Sequence, residues 1–132
     1  MDTRADWDIA LRHEDARVAR YGRPAAVLAV RLRLGSAGVV DQYAARIGGA
    51  IRHQARETDR VTRSGPDRFH VLLPETLEAE AIVLAERVRT ACAGLIPGPA
   101  GSGVEVMVAS ASTSSGGTLA DALRTVRARI EG

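Results

Sequence analysis

The sequence predicts an α+β fold, in which a β-α-β-β-α-β core forms a four-stranded antiparallel sheet with helices on one face and a further helix at each end of the chain. Three observations predict it. The mostly apolar run from Ala25 to Leu34 is typical of a buried strand, and two short strand-like runs flank the break Gly65-Pro66-Asp67. Segments with helical spacing of apolar residues lie between and outside these strands.

Four segments have the apolar periodicity of amphipathic helices. They run from Ala5 to Tyr21, from about Val39 to Arg56, from the opening Pro74-Glu75-Thr76 to about Ala93, and from Thr118 to Ile130. The hydroxyl of Thr118 is suited to capping the last helix. The glycine-rich stretches 35–38 and 94–103 are predicted to be loops.

The hairpin is predicted from the runs Arg60 to Ser64 and Arg68 to Leu73. Pro66 fixes its own φ and suits the second position of a tight turn, while Gly65 tolerates backbone angles that other residues avoid. Val104 to Ala111 alternates or runs apolar and is predicted to be the last strand.

The composition, 132 residues with 45% apolar content, fits one folded domain spanning residues 1–132, which could also be part of a longer chain. The first residues are charged rather than typical of a signal peptide, and no apolar run approaches the length of a membrane span. We therefore expect a cytoplasmic protein without a membrane span. Cys92 lies among apolar residues and is predicted to be a buried free thiol.

All 18 basic residues are arginines, although the net charge is only +2. Clustered arginines could bind a phosphodiester through bidentate hydrogen bonds, but an arginine-rich composition is also typical of a GC-rich genome. Because only 3% of residues are aromatic, we expect no stacking surface for single-stranded nucleic acid. His13, His53 and His70 have no neighbouring ligand cluster with metal spacing, so we expect no metal site at them.

The segment from Arg56 to Pro74 carries a set of motifs. An R-x-x-D at Arg56 and Asp59 is followed after five residues by Gly65, Pro66, Asp67, Arg68 and Phe69, and then by V-L-L-P-x-T. This pattern resembles the signature hairpin of the GGDEF (diguanylate cyclase) family, which has Gly-Gly-Asp/Glu-Glu-Phe at those five positions. The resemblance covers nearly all of the chain and implies a GGDEF or nucleotidyl-cyclase-like fold, although the family's D-x-L-T-G-L-x-N-R lead-in is missing.

The resemblance implies an activity in which two GTP molecules are joined with the help of divalent ions. Such ions need converging carboxylates. Arg31 and Arg33 stand where the family has the two acids of a D-x-D-x-F-K motif, and Arg68 stands at the glutamate of the signature. Each replacement changes the local charge by two units, and Pro66 has no N–H for a phosphate. We expect the metal site and the cyclase activity to be lost, and no cofactor.

Asp67 is the signature acid that the chain keeps. The end of the first strand and the hairpin tip share one edge of the predicted sheet, so we expect Arg31 or Arg33 to pair with Asp67. Alternatively, these arginines could make the former substrate pocket an anion site for a nucleotide without metal. Asp41 matches a guanine-contacting residue of the family, but an acid in the first turn of a helix also has a structural explanation.

The R-x-x-D motif with Arg87 resembles the family's inhibitory site for its product, cyclic di-GMP, in which Arg56, Asp59 and Arg87 would bind the ligand. A further arginine that often assists is replaced by Val83. Asp59 could instead cap the entry to a strand, and Arg87 could lie on a solvated helix face.

The leading hypothesis is a catalytically inactive signalling domain that binds cyclic di-GMP and acts on a protein partner. The alternatives are a protein-interaction or dimerisation module without a ligand, and an enzyme that uses another nucleotide.

Overall fold

The structure is a computed structural model, and it describes residues 1–34, 40–95 and 104–131. The elements in chain order are α1 (Arg4–Tyr21), β1 (Ala26–Leu34), α2 (Val40–Gln54), β2 (Arg60–Gly65), β3 (Arg68–Leu73), α3 (Glu78–Ala93), β4 (Val104–Ser112) and α4 (Leu119–Glu131). A short 3₁₀ turn, Thr113–Ser115, precedes α4. The predicted order of helices and strands is confirmed, while the predicted loop 35–38 and most of the loop 94–103 lie outside the described residues.

The sheet has the strand order β2-β3-β1-β4, with every neighbouring pair antiparallel. This confirms the predicted four-stranded antiparallel sheet and puts β1 at its centre. Val30 of β1 pairs with Phe69 of β3 and with Val108 of β4. In the same register, Arg31 lies opposite Arg68, which brings two of the predicted site residues together at the hairpin end of the sheet.

Helices cover both faces of the sheet. On one face, Leu28 and Val30 pack in a cluster with side chains of α2 and α3, such as Ile47 and Val88. On the other face, the cluster contains side chains from β1, α1 and α4, namely Val27, Ala29, Trp7, Leu123 and Val126. The expectation of core helices on one face is therefore confirmed for α2 and α3, while the face of the terminal helices had not been predicted. A strand with apolar residues at consecutive positions needs cover on both sides, and α1 and α4 supply the second layer.

The start of α3 differs from the prediction. The helix begins at Glu78, because Pro74 and Glu75 form a turn in which Glu75 has a φ of 49°. The Glu75 carboxylate accepts hydrogen bonds from Arg23 at 2.7 Å and Arg17 at 3.3 Å, so ion pairs with α1 and the segment after it accompany this conformation. The turn leaves Thr76 facing inward, close to the end of α2.

Two smaller predictions are confirmed. Thr118 caps α4, since its Oγ1 accepts from the Asp121 N–H at 3.2 Å while Asp121 Oδ2 accepts from the Thr118 N–H at 3.0 Å. Cys92 is a buried free thiol, and burial raises its pKa to about 11. Among the helices that the structure describes, none has both the length and the apolar character needed to cross a bilayer.

Candidate functional site

The signature hairpin is attached to the central strand at its tip. The pairing of β2 with β3 shifts register between Arg63 and Gly65, which is the geometry of a β-bulge. Beyond the regular β1·β3 ladder, the Leu32 N–H donates to the Asp67 carbonyl at 2.8 Å. This bond holds the turn residue Asp67 beside Arg31 and Arg68, which lie opposite each other on the two strands.

Asp67 is paired with arginines through both of its carboxylate oxygens. Arg31 Nε lies 3.5 Å from Oδ2, and Arg68 Nε lies 3.6 Å from Oδ1. Arg31 also donates from Nη1 to the Ile130 carbonyl at 3.0 Å, while Arg68 forms a second ion pair with Glu131. The predicted pair of an arginine with Asp67 is therefore present, and it is made by Arg31.

This arrangement does not fit a divalent cation. An ion with two positive charges about 5 Å from one guanidinium would be repelled by about 7 kcal/mol at an effective dielectric constant of about 20, and two guanidinium groups adjoin Asp67. In the part of the chain that the structure describes, no group of three or more His, Cys, Asp or Glu side chains could hold a metal ion. Arg33 is exposed, and the side chain of Asp41 lies outside what the structure describes.

The R-x-x-D motif forms the turn between α2 and β2. Asp59 is 1% exposed, and its Oδ2 accepts from the Arg56 backbone N–H at 2.7 Å. Its Oδ1 accepts from Arg56 Nη2 at 3.1 Å, and the Asp59 N–H donates to the Arg56 carbonyl at 3.0 Å. An aspartate that binds backbone groups a few residues away closes a turn, so Asp59 has a structural role here, as one of the two sequence interpretations expected.

Arg56 joins this turn to the turn that precedes α3. Its Nη2 donates to the Pro74 carbonyl at 2.9 Å and to Thr76 Oγ1 at 2.7 Å, in addition to Asp59. Its side chain is nevertheless 53% exposed, and Nη1 makes no hydrogen bond to any described residue. The guanidinium is thus held in one orientation along one edge and is open to solvent along another.

A pocket of about 330 Å³ lies between these turns and α3, and we call it the Arg56 pocket. Its lining contains the three residues that the motif comparison singled out, with polar and apolar neighbours, namely Arg56, Asp59, Arg87, Gln54, Thr76 and Val83. Arg87 Nη2 donates to Gln54 Oε1 at 3.1 Å, which fixes the second arginine on the opposite wall. A volume of this size is at the lower end for small-molecule sites.

Sequence reasoning missed Gln54 and Thr76. Both are polar residues near the ends of elements, and the chain gives no local pattern that distinguishes them from ordinary helix-end residues. Their roles depend on contacts with residues distant in the chain, Arg87 for Gln54 and Arg56 for Thr76. The only sequence signal is the position of Thr76 in the V-L-L-P-x-T segment after β3.

One family model and several solved structures match this chain. The family model described as "Diguanylate cyclase, GGDEF domain" matches residues 29–120. No curated protein matches the chain significantly.

Similar solved structures come from several bacteria. A diguanylate cyclase protein from Thermotoga maritima is 18% identical with a TM-score of 0.79, and the alignment covers 93% of this chain and 90% of that one. The GGDEF domain of DgcB from Caulobacter crescentus, in complex with c-di-GMP, is 12% identical with a TM-score of 0.73, over 95% and 80%. The diguanylate cyclase SiaD from Pseudomonas aeruginosa, in complex with its activator SiaC, is 25% identical with a TM-score of 0.71, over 92% and 50%.

Proposed function

Because the chain belongs to the GGDEF domain family of diguanylate cyclases, we propose that it is a non-catalytic member that binds cyclic di-GMP in the Arg56 pocket. The observation that carries the proposal is the convergence of Arg56, Asp59 and Arg87 on one pocket, although Arg87 lies on α3 and the other two form the turn between α2 and β2. The complex of DgcB with c-di-GMP is an example of such a ligand on a domain of this fold.

The absence of catalysis is inferred from the charges at the hairpin. A cyclase of this family would need carboxylates to hold divalent ions, and Asp67 is bound instead by Arg31 and Arg68. Guanidinium groups supply positive charge but cannot polarise a hydroxyl as a metal ion does. We therefore expect the chain not to join two GTP molecules.

Incubation of the chain with GTP and Mg²⁺, followed by chromatographic detection of nucleotides, tests this part. We expect GTP to be recovered unchanged. Formation of cyclic di-GMP above the level of a protein-free control would contradict the charge argument.

Ligand binding would use the open edge of Arg56. Nη1 and the exposed face of its guanidinium can bind a phosphate or stack on guanine, because Asp59 and Thr76 already fix the other edge. A group that is held in its binding orientation loses little entropy on binding. In this arrangement Asp59 positions Arg56, and its buried carboxylate need not contact the ligand.

The wall formed by α3 would complete the site. Arg87 supplies a second positive charge, and the adjacent Val83 and Leu84 offer an apolar surface for a base. Glu80 also lines the pocket, but one of its oxygens accepts from the Leu77 N–H at 3.0 Å. A ligand with two phosphates is suited to a pocket that has an arginine on each wall.

Isothermal titration calorimetry with cyclic di-GMP tests the receptor proposal. We expect micromolar binding by the wild-type chain and its loss in Arg56→Ala. Arg46→Ala is the matched control, because Arg46 is an exposed arginine of α2 that does not line the Arg56 pocket. The absence of heat at about 100 µM ligand in the wild-type chain, or unchanged binding by Arg56→Ala, would contradict the proposal.

A second candidate function is a protein-interaction module without a nucleotide ligand. The observation that favours it is the exposure of three large apolar side chains at and near the start of α3, 53% for Leu77, 54% for Ile82 and 59% for Val83. SiaD, a similar diguanylate cyclase, has an activator protein bound to it. A chain that gives no heat with cyclic di-GMP, and that loses self-association or partner binding in Ile82→Gln, would favour this candidate.

A further inference from the structure

A second arginine-lined pocket lies on the face of the sheet that α1 and α4 cover. Its volume is about 340 Å³, and it is bounded by α1, the β2–β3 hairpin and α4. We call it the His70 pocket. The charged and titratable residues that line it are Arg4, Asp8, Arg63, Arg68, His70 and Arg127. Four arginines therefore face one aspartate.

His70 is the buried polar residue of this pocket. It is 3% exposed, and its Nε2 has no hydrogen-bond partner among the described residues. Its ring lies beside Trp7, with the ring centroids 6.3 Å apart. A buried nitrogen without a partner is costly, so a native structure with such an atom calls for a ligand or another polar partner at that point.

The charges around His70 are only partly neutralised. Arg68 has carboxylate partners in Asp67 and Glu131. Arg4 and Arg127 form no ion pair with any residue that the structure describes, and Arg63 donates to the Pro66 carbonyl at 2.7 Å. Burial, together with the positive charges of Arg127 and Arg68, lowers the pKa of His70 to about 4. The imidazole is therefore neutral at pH 7, amid an excess of positive charge.

We propose that the His70 pocket binds a phosphate group or a comparable oxyanion, with Arg4 and Arg127 as its counter-charges and His70 Nε2–H as a hydrogen-bond donor. Arginine matches the geometry of phosphate oxygens, and a neutral imidazole can donate from Nε2. Asp8 makes the pocket less favourable for anions, but four arginines line the same pocket.

This pocket differs from both sites described above, although Arg68, which pairs with Asp67, also lines it. It shares no lining residue with the Arg56 pocket, and neither Arg31 nor Asp67 lines it. The proposal therefore stands or falls independently of cyclic di-GMP binding.

Calorimetric titration with inorganic pyrophosphate, at an ionic strength held constant with NaCl, tests the proposal on the full chain. We expect saturable binding with a dissociation constant of about 1 mM or lower. Long-range ¹H–¹⁵N correlation spectra of the histidines should show the Nε2 signal of His70 changing with the same saturation curve, which locates the ligand.

Variants of α4 and of His70 make the test specific. Arg127→Gln should weaken binding about tenfold or more, because it removes a charge-assisted bond. Arg124→Gln is the matched control: it removes the same charge from an exposed position of the same helix, where Arg124 pairs with Asp121 instead. His70→Phe keeps an aromatic ring beside Trp7 but removes the nitrogen, and should weaken binding several-fold. In Arg56→Ala, the His70 signal should still change with pyrophosphate, because Arg56 does not line the His70 pocket.

Several results would overturn the proposal. These are a His70 signal that responds equally to NaCl alone, binding that is unaltered in both Arg127→Gln and His70→Phe, and no saturation of the wild-type chain. If binding is present, a titration with adenosine monophosphate identifies the source of the phosphate. Tighter binding than that of pyrophosphate supports a site for phosphate esters, and equal or weaker binding supports one for free phosphates.

Discussion

Removal of the Asp67 carboxylate should destabilise the hairpin end of the sheet. Arg31 and Arg68 lie opposite each other on β1 and β3, and Asp67 is the acid that contacts both. In Asp67→Ala, two like charges would face each other across the strands, a pairing that is unfavourable in antiparallel sheets. Arg31 would retain its bond to the Ile130 carbonyl, and Arg68 would retain Glu131.

The magnitude follows from the geometry. A hydrogen bond to a charged group contributes about 1.5–3 kcal/mol to stability. The two contacts to Asp67 are long, at 3.5 and 3.6 Å, and the side chains of Arg31 and Asp67 are 21% and 29% exposed. Solvent screening and the remaining partners reduce the effect, so we expect Asp67→Ala to lower the free energy of unfolding by about 1–2 kcal/mol in total.

Urea unfolding followed by circular dichroism measures this change, with an unaltered slope of the transition as evidence that the native state is intact. Glu86→Ala is the matched control, because it removes an acid from the exposed pair with Arg89 on α3, where we expect no measurable effect. The double variant Arg31→Ala/Asp67→Ala isolates the coupling between the pair. An Asp67→Ala variant that is as stable as the wild type, or more stable, would refute the inference that Asp67 compensates the two arginines.

Two further changes should alter stability. Asp59→Ala should lower the free energy of unfolding by about 2–3 kcal/mol, because it removes a buried acceptor of the Arg56 backbone N–H and guanidinium, and urea unfolding would measure it. His70 has a pKa of about 4 when folded, against about 6.5 in an unfolded chain, so the unfolded state takes up the proton first as the pH falls. The contribution of neutral His70 to the free energy of unfolding is therefore full above about pH 6.5 and is lost, by up to about 3 kcal/mol, as the pH falls toward 4. His70→Phe should remove this dependence on pH. Burial raises the pKa of Glu14, so the stability that depends on Glu14 changes with pH in the opposite direction. Because the wild-type chain and His70→Phe both contain Glu14, this effect cancels when one stability curve is subtracted from the other.

The fold was largely predictable because its main signals are local. The apolar run of β1 and the Gly65-Pro66-Asp67 turn each determine an element without help from distant residues. The start of α3 was predicted too early because a left-handed Glu75 forms ion pairs with Arg17 and Arg23, which are more than 50 positions away in the sequence. Both terminal helices were predicted, but the face of the sheet that they cover was not, although the consecutive apolar positions of β1 required cover on a second face.

The sequence singled out Arg56, Asp59 and Arg87, which the structure brings to one pocket, but it did not reveal their contacts. Alternation along β1 puts Arg31 and Arg33 on the same face, so the sequence alone could not say which would reach Asp67. The burial of Asp59 beneath Arg56, and the bond from Arg56 to Thr76, depend on how two turns meet in space. No metal site was expected at His70 because the sequence has no cluster of metal ligands near it. The arginines that surround it in the structure come from α1, the hairpin and α4.

The central claim is that arginines have replaced a metal ion at Asp67, and a titration with Mn²⁺ tests it most directly. In ¹H–¹⁵N spectra of the chain with GTP, about 1 mM Mn²⁺ would bind a carboxylate metal site and broaden the amide signals around it through its unpaired electrons. We predict that the signals of Arg31, Asp67 and Arg68 are broadened no more than those of other residues that are similarly half-buried. Selective broadening centred on these three residues would show that a cation binds there and would contradict the account.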